Sequence, residues 1–307
     1  MKILEPTSIF YFLIFPGFLF TAVAGLLASW LDRKITARLQ RRVGPPLYQC
    51  FADFLKLLSK EAFIPEGSNG FLFILSPLIS LAGVTLASAT LWVSSMNPGK
   101  GFVGDVIVVV YLLMLPSLAL ILGGSASGNP HSAIGASREI KLFMAYELPF
   151  LLAIFTPVVK SGILSLGGIA KYQAEQGMFV ASASGAIAFT VALFCVQAKL
   201  GITPFDIPDA ETELMGGPYI EYSGAPLGIL RLSKAMMLFV LPSFVLLIFW
   251  GSIWSSWFIL KYFLFLLFIV VFRNTSPRLR IDQAIKLFWF PLMLLGVLGM
   301  ILGVMGL

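Results

Sequence analysis

The chain has 307 residues, of which 58% are hydrophobic and 12% charged, and a net charge of +6. A soluble domain carries about 25% charged residues, so a water-soluble globular fold is excluded. The positive balance does not point to nucleic acid either, since that would need a soluble basic face.

The apolar residues come in long blocks. A bilayer core about 30 Å thick is crossed by ~20 apolar residues in a helix. In chain order the blocks predict about eight spans: 8–31, 71–95, 103–124, 141–160, 178–198, 226–249, 252–272 and 284–306. The runs are continuous, as in Val106–Leu122 and Phe263–Phe272. A transmembrane barrel would instead alternate apolar and polar residues, whereas helices satisfy their own backbone in lipid. The expected fold is therefore all-α and polytopic, one membrane domain covering 1–307. The first block starts with a single cation, Lys2, and has no clear small-x-small site before Trp30-Leu31-Asp32. It reads as a retained signal anchor.

Between the first two spans, Arg33, Lys34, Arg38, Arg41 and Arg42 form a basic stretch that ends at the turn Val43-Gly44-Pro45-Pro46. Leu47, Phe51, Phe54, Leu55 and Leu58 then recur at helical spacing, with Gln49, Asp53, Lys56 and Lys60 opposite. An amphipathic helix over about 46–61, lying on the membrane surface or on a soluble partner, is expected.

Eight spans put both termini on one side. The loops and helix ends of the other side then hold sixteen Lys and Arg, against five (Lys2, Lys100, Lys160, Lys171 and Lys261) on the terminal side. The positive-inside rule makes the sixteen-cation side cytoplasmic and the termini external.

Chemistry concentrates in a few places. Residues 201–224 hold Asp206, Asp209, Glu211, Glu213 and Glu221, with no Lys or Arg between Lys199 and Arg231. Asp206 is a candidate cap for a short helix ending at Gly216-Gly217, on which Asp209 and Glu213 would be i,i+4 neighbours. Crowded, partly buried carboxylates shift toward neutrality and can hold and release protons; a solvated acidic loop is the plainer alternative. Glu147 lies in the fourth span, where a carboxylate is costly and faces a polar cavity or partner, unless the span starts later and leaves it at the interface. Glu139 lies two turns earlier. Together they would extend a proton path inward. Glu147→Gln is expected to leave the fold intact, because burying that charge was unfavourable to begin with. The basic stretch Arg33, Lys34, Arg38, Arg41 and Arg42 and the segment Arg273, Arg278, Arg280 and Asp282 are candidate docking residues for a partner, the second suggesting specific ion pairs, although cations beside spans can simply set orientation. Two separated cysteines, Cys50 and Cys195, and the single His131 make no usual cluster, haem or zinc site.

Four blocks together resemble one family. They are Arg38–Pro46 with Ala52–Glu61; Gly135–Glu139 with Tyr146-Glu147; Pro204-Phe205-Asp206 through Glu221-Tyr222-Ser223-Gly224; and Ser276–Gln283. In order and topology they are similar to the membrane subunit shared by respiratory complex I and the energy-converting membrane-bound NiFe hydrogenases. Quinone-reducing members read like GPNxxGPxGxLQ in the first loop. This chain has the shorter Arg41-Arg42-Val43-Gly44-Pro45-Pro46-Leu47-Tyr48-Gln49, which resembles the hydrogenase branch and the related sulfane-sulfur reductases.

The resemblance implies an anchor for a cytoplasmic NiFe hydrogenase-like large subunit and an Fe-S small subunit, beside antiporter-like membrane subunits. Fe-S clusters, and a NiFe site or its remnant, would lie in those partners, with no cofactor in this chain. It also implies that Glu139, Glu147, Asp206, Asp209, Glu211, Glu213 and Glu221 connect the redox module to the membrane arm. A quinone-chamber subunit of a complex I-like dehydrogenase and a stand-alone secondary transporter are the alternatives. The second would be expected to show two related halves, and none is evident.

Overall fold

The computed structural model describes residues 6–96 and 104–306, leaving aside the side chains of residues 6–9, 211 and 212. The described residues are helical and contain no strand. Helix α1 (Pro6–Leu13) meets α2 (Phe18–Leu39) at a tight turn. The basic loop leads to α3 (Gln49–Leu58), followed by α4 (Gly70–Met96), α5 (Asp105–Ala126) and α6 (Pro130–Ser161). A short α7 (Leu166–Gln176) precedes α8 (Ala183–Lys199). The acidic segment holds one helical turn, α9 (Glu211–Leu214). Then come α10 (Gly224–Trp250), α11 (Phe258–Thr275), α12 (Ile281–Leu287) and α13 (Met293–Val304), the last two joined by a wide turn of helix over Phe288–Leu292 around Pro291.

Among the described residues, seven helices are long and apolar enough to cross a membrane: Phe10–Leu39, Gly70–Met96, Asp105–Ala126, Pro130–Ser161, Gly224–Trp250, Phe258–Thr275 and Ile281–Val304. The block at 178–198 is different. A 3-10 turn at Phe179–Ala181 takes its start, and α8 keeps 17 residues. At 1.5 Å per residue this reaches about 26 Å, short of a full hydrocarbon core.

Helix α10 is the axis of the bundle. In its most apolar window 94% of residues are buried, and it packs against α2, α4 and α3. Its buried Ser233 and Ser243 donate to the carbonyls of Ile229 and Phe239 one turn back, so neither polar atom is orphaned. Gly25 lets α2 come close to it: a Cβ there would lie 2.7 Å from the Ala235 carbonyl oxygen and from the Met236 backbone. Small residues at such crossings replace the hydrophobic drive that lipid cannot supply.

Helix α6 begins at Pro130, well before residue 141. The Asn129 side chain accepts from the His131 backbone N–H at 2.8 Å, and Pro130 sits in the first turn, a regular way to start a helix. The Gly/Ser-rich stretch before residue 141 is therefore largely helix. Its small residues allow close packing, since a Cβ at Gly135 would fall 2.7 Å from Pro218 Cδ. Glu139 is thus a mid-helix residue. Helix α3 is shorter than the 46–61 expected from periodicity, because residues 43–48 form an extended turn and Ser59 caps its end. Leu55 and Leu58 are exposed along it, while Cys50 is buried toward α2 and α10.

Candidate functional site

The acidic segment does not form the capped helix expected of it. Residues 203–209 are successive turns, and each described carboxylate finds a partner on another element. Arg278 donates to Asp206 at 2.8 Å, Lys234 of α10 to Asp209 at 2.9 Å, and Arg138 of α6 to Glu213 at 2.6 Å. Glu221 accepts from Asn129 Nδ2 at 2.5 Å. Glu211 falls outside the described side chains. Cations from elsewhere therefore offset the repulsion expected from the crowded sequence. The segment is held from below by Gln197 of α8, whose Nε2 donates to the Thr203 carbonyl at 2.8 Å, and by Leu279 N–H to the Pro204 carbonyl at 3.1 Å.

Beneath the segment lies a small cavity of about 50 Å³, lined by Ser80, Ser117, Glu139, Lys199, Pro208, Asp209, Tyr219 and Lys234 among others. A water needs roughly 10–15 Å³ by this measure, so a few fit. Glu139 is buried and lines the cavity with Ser117, whose Oγ lies 3.1 Å from the Tyr146 hydroxyl. Burial pushes the Tyr219 hydroxyl above the ordinary tyrosine range, which keeps it protonated at the cavity wall. Lys234 Nζ lies 5.8 Å over the Tyr219 ring, within cation–π range.

Glu147 lies deeper and is paired. Lys199, the last residue of α8, donates to both carboxylate oxygens at 3.0 and 2.8 Å. The Lys199 side chain is 0% exposed and that of Glu147 7%. Nζ also stands 4.7 Å from the Phe150 ring and 5.7 Å from that of Tyr146. This overturns the expectation that Glu147→Gln spares the fold, because the carboxylate balances a buried ammonium. From the sequence, Lys199 counted only as a loop cation. The signal that could have found it is the unmatched carboxylate itself, which inside a membrane domain demands a counter-charge.

A second hollow, of about 500 Å³, opens between α2, α10, α11 and the acidic segment, with Asp32, Arg33, Asp206, Asp209, Arg231, Lys234, Arg273 and Arg278 on its walls. A third, also of about 500 Å³, is lined by Arg138, Asp206, Glu213, Arg278, Arg280 and Asp282. Of the expected docking residues, Arg33, Arg273 and Arg278 are engaged within the chain, with Asp53 at 3.1 Å, Asp32 at 2.8 Å and Asp206 at 2.8 Å. Lys34 is half-buried against Gly44. Arg38, Arg41, Arg42, Arg280 and Asp282 are exposed. Cys50 and Cys195 are both buried and free, on α3 and α8. Among the described residues no three His, Cys, Asp or Glu side chains come together as metal ligands would.

The family model described as NADH dehydrogenase matches residues 11–304. The chain belongs to that family. It is 34% identical to the H subunit of the NADH-quinone oxidoreductase of Thermomicrobium roseum, over 92% of this chain and 91% of that one. The corresponding Geobacillus protein is 33% identical over 89% and 86%. Among solved structures, a chain of the membrane-bound sulfane sulfur reductase, an archaeal respiratory membrane complex, superposes with a TM-score of 0.88 at 28% identity, over 97% of this chain and 100% of that one. This member of the NADH dehydrogenase family is thus a multi-pass membrane protein related to subunits of respiratory oxidoreductase complexes, and the resemblance read from its loops holds at that level.

Proposed function

We propose that this chain is the membrane subunit of an ion-translocating oxidoreductase complex of the hydrogenase or sulfane-sulfur reductase type. It anchors a NiFe-type large subunit and an Fe-S small subunit on its basic and acidic loops, and antiporter-like subunits lie beside it in the membrane. The redox groups belong to those partners, and this chain moves charge. The observation that carries the reading is the series of ionisable groups running inward from the loops: Arg278–Asp206, then Asp209–Lys234, then Glu139 on the shared cavity, then Lys199–Glu147. A purely structural anchor has no need of buried carboxylates at successive depths. Exposed Arg38, Arg41, Arg42 and Arg280 supply a cationic docking face for the soluble module, with Asp282 beside them.

The test is Glu139→Gln in the whole complex, with ion uptake into sealed vesicles and electron transfer read on one preparation. Gln keeps the shape and cannot release a proton. Ion uptake should fall by about 100-fold, the scale of a lost positioned acid–base group, with electron transfer falling alongside in a tightly coupled complex and persisting in one that slips. Uptake and electron transfer both equal to the parent's would remove Glu139 from any ion path and sink the reading.

In the same proposal the acidic segment and the loop before α4 face the cytoplasm. The short α8 then crosses as an eighth span. A cysteine placed at exposed Ser256 should react with an impermeant thiol reagent in intact cells, and one at exposed Glu66 only in inverted membrane vesicles. Labelling of both from one side would overturn the topology.

A second reading rests on the two NADH-quinone oxidoreductase relatives and on the 500 Å³ hollow: the hollow receives a quinone. A photoreactive quinone should then crosslink to residues of that hollow, and the absence of labelling in an active complex would leave the hydrogenase-type reading alone.

A further inference from the structure

Two buried carboxylates on one helix, Glu139 and Glu147, are separated by one cation. Lys199 lines the cavity that holds Glu139, Asp209 and Lys234, whereas Glu147 does not reach it. Glu147 sits behind Lys199, gripped by both oxygens. Ser117, which lines the same cavity as Glu139, lies 3.1 Å from the Tyr146 hydroxyl, and that route also ends beside Lys199, whose ammonium faces the Tyr146 ring. Both connections between the two carboxylates therefore pass this side chain.

We infer that Lys199 is the gate of the inward path, a mobile counter-cation whose ammonium exchanges between Glu147 and the Glu139 cavity. The inference rests on the proposed ion path and adds a residue and a rule to it. In the resting arrangement Glu147 is an anion paired with Lys199, and Glu139 carries the arriving proton. The proton then passes through the cavity to Glu147, which becomes a neutral acid. Glu139 is left as the anion, and Lys199, still an ammonium, turns to it. One proton leaves Glu139 and one arrives on Glu147, no charge is created, and the cation stays beside the negative charge throughout. An ammonium left without an anion there would be strongly disfavoured, so the two movements are coupled. A flexible four-carbon stem with three donors suits the exchange better than the planar fork of arginine. The rings of Tyr146 and Phe150, 5.7 and 4.7 Å from Nζ, offer a cation a weakly stabilising surface on the way.

A purely structural ion pair predicts something else, and the whole complex in sealed vesicles separates the two. The decisive variant is Lys199→Met, which removes the cation and keeps Glu147, free to neutralise itself by taking a proton. If Lys199 only holds α8 to α6, the assembled variant takes up ions like the parent. If Lys199 is the gate, it assembles yet loses ion uptake by about 100-fold. The double change Glu147→Gln with Lys199→Gln removes both charges and leaves neither unpaired; because it also takes Glu147 out of the path, parental uptake in it would overturn path and gate together. Uptake is measured on the assembled fraction only, so lower yield does not enter. Parental uptake in assembled Lys199→Met overturns the gate. Glu139→Gln, measured alongside, distinguishes the failures. If it loses uptake while Lys199→Met does not, the path stands and the gate falls. If it too is fully coupled, the path itself is wrong.

Discussion

Glu147→Gln alone should destabilise the protein by about 3–5 kcal/mol, the cost of removing one member of a buried ion pair. In the resting arrangement Lys199 would keep its charge with a neutral amide in front of it, its side chain buried. The expected observation is a lower melting temperature of the detergent-solubilised complex and a reduced yield of it in membranes. Adding Lys199→Gln to the same chain should recover most of the loss, because replacing a buried pair by neutral groups of similar size is often close to neutral. A Glu147→Gln complex that melts with the parent would mean that Lys199 turns to Glu139, the exchange inferred above, or gives up its proton without cost. The paired design matters for interpretation: a single variant mixes loss of stability with loss of coupling, and the double separates them.

Gly25→Val should also be damaging, by a different route. The added Cβ would lie 2.7 Å from the Ala235 carbonyl oxygen and from Met236 Cα and N. These are backbone atoms of a helix buried on all sides, which cannot swing away as a side chain tip would. Helix α2 must then move off α10, at about 1–3 kcal/mol or more for overpacking. The displacement would also reach the Arg273–Asp32 pair at the far end of α2 and the hollow those residues line. The expected outcome is poor assembly, read as the fraction of the chain that comigrates with its complex on a native gel, with Gly25→Ala less severe. Normal assembly of the valine variant would show that the α2–α10 contact is looser than its geometry.

Much of the architecture is legible without coordinates, because it follows from a one-dimensional constraint. Crossing lipid takes a run of apolar residues of fixed length, so the blocks at 71–95, 226–249 and 284–306 announce the helices Gly70–Met96, Gly224–Trp250 and Ile281–Val304. The helix over Gln49–Leu58 announces itself by its period. The N-terminal third of α6 did not, since a Gly/Ser-rich surface looks like a loop when read by hydrophobicity. Its start is written instead in Asn129-Pro130, a cap followed by a first-turn proline. The block at 178–198 was apolar enough to be read as a full span, and only the fold divides it into a turn and a shorter helix.

The site divides along the same line. That carboxylates cluster at 206–221 and that Glu147 lies within an apolar span are facts of sequence, and the cost of charge in a dry interior made them candidates. Which cation answers each carboxylate is a fact of tertiary structure alone. Lys199 is 52 residues from Glu147, and Lys234 is 25 from Asp209. No periodicity connects positions so far apart, because their meeting depends on how α6, α8 and α10 pack. Charge by itself has no direction along the chain. A lysine beside a span looks the same whether it orients the protein in the membrane or neutralises a buried acid, and only the packing of the helices around it makes Lys199 the second kind.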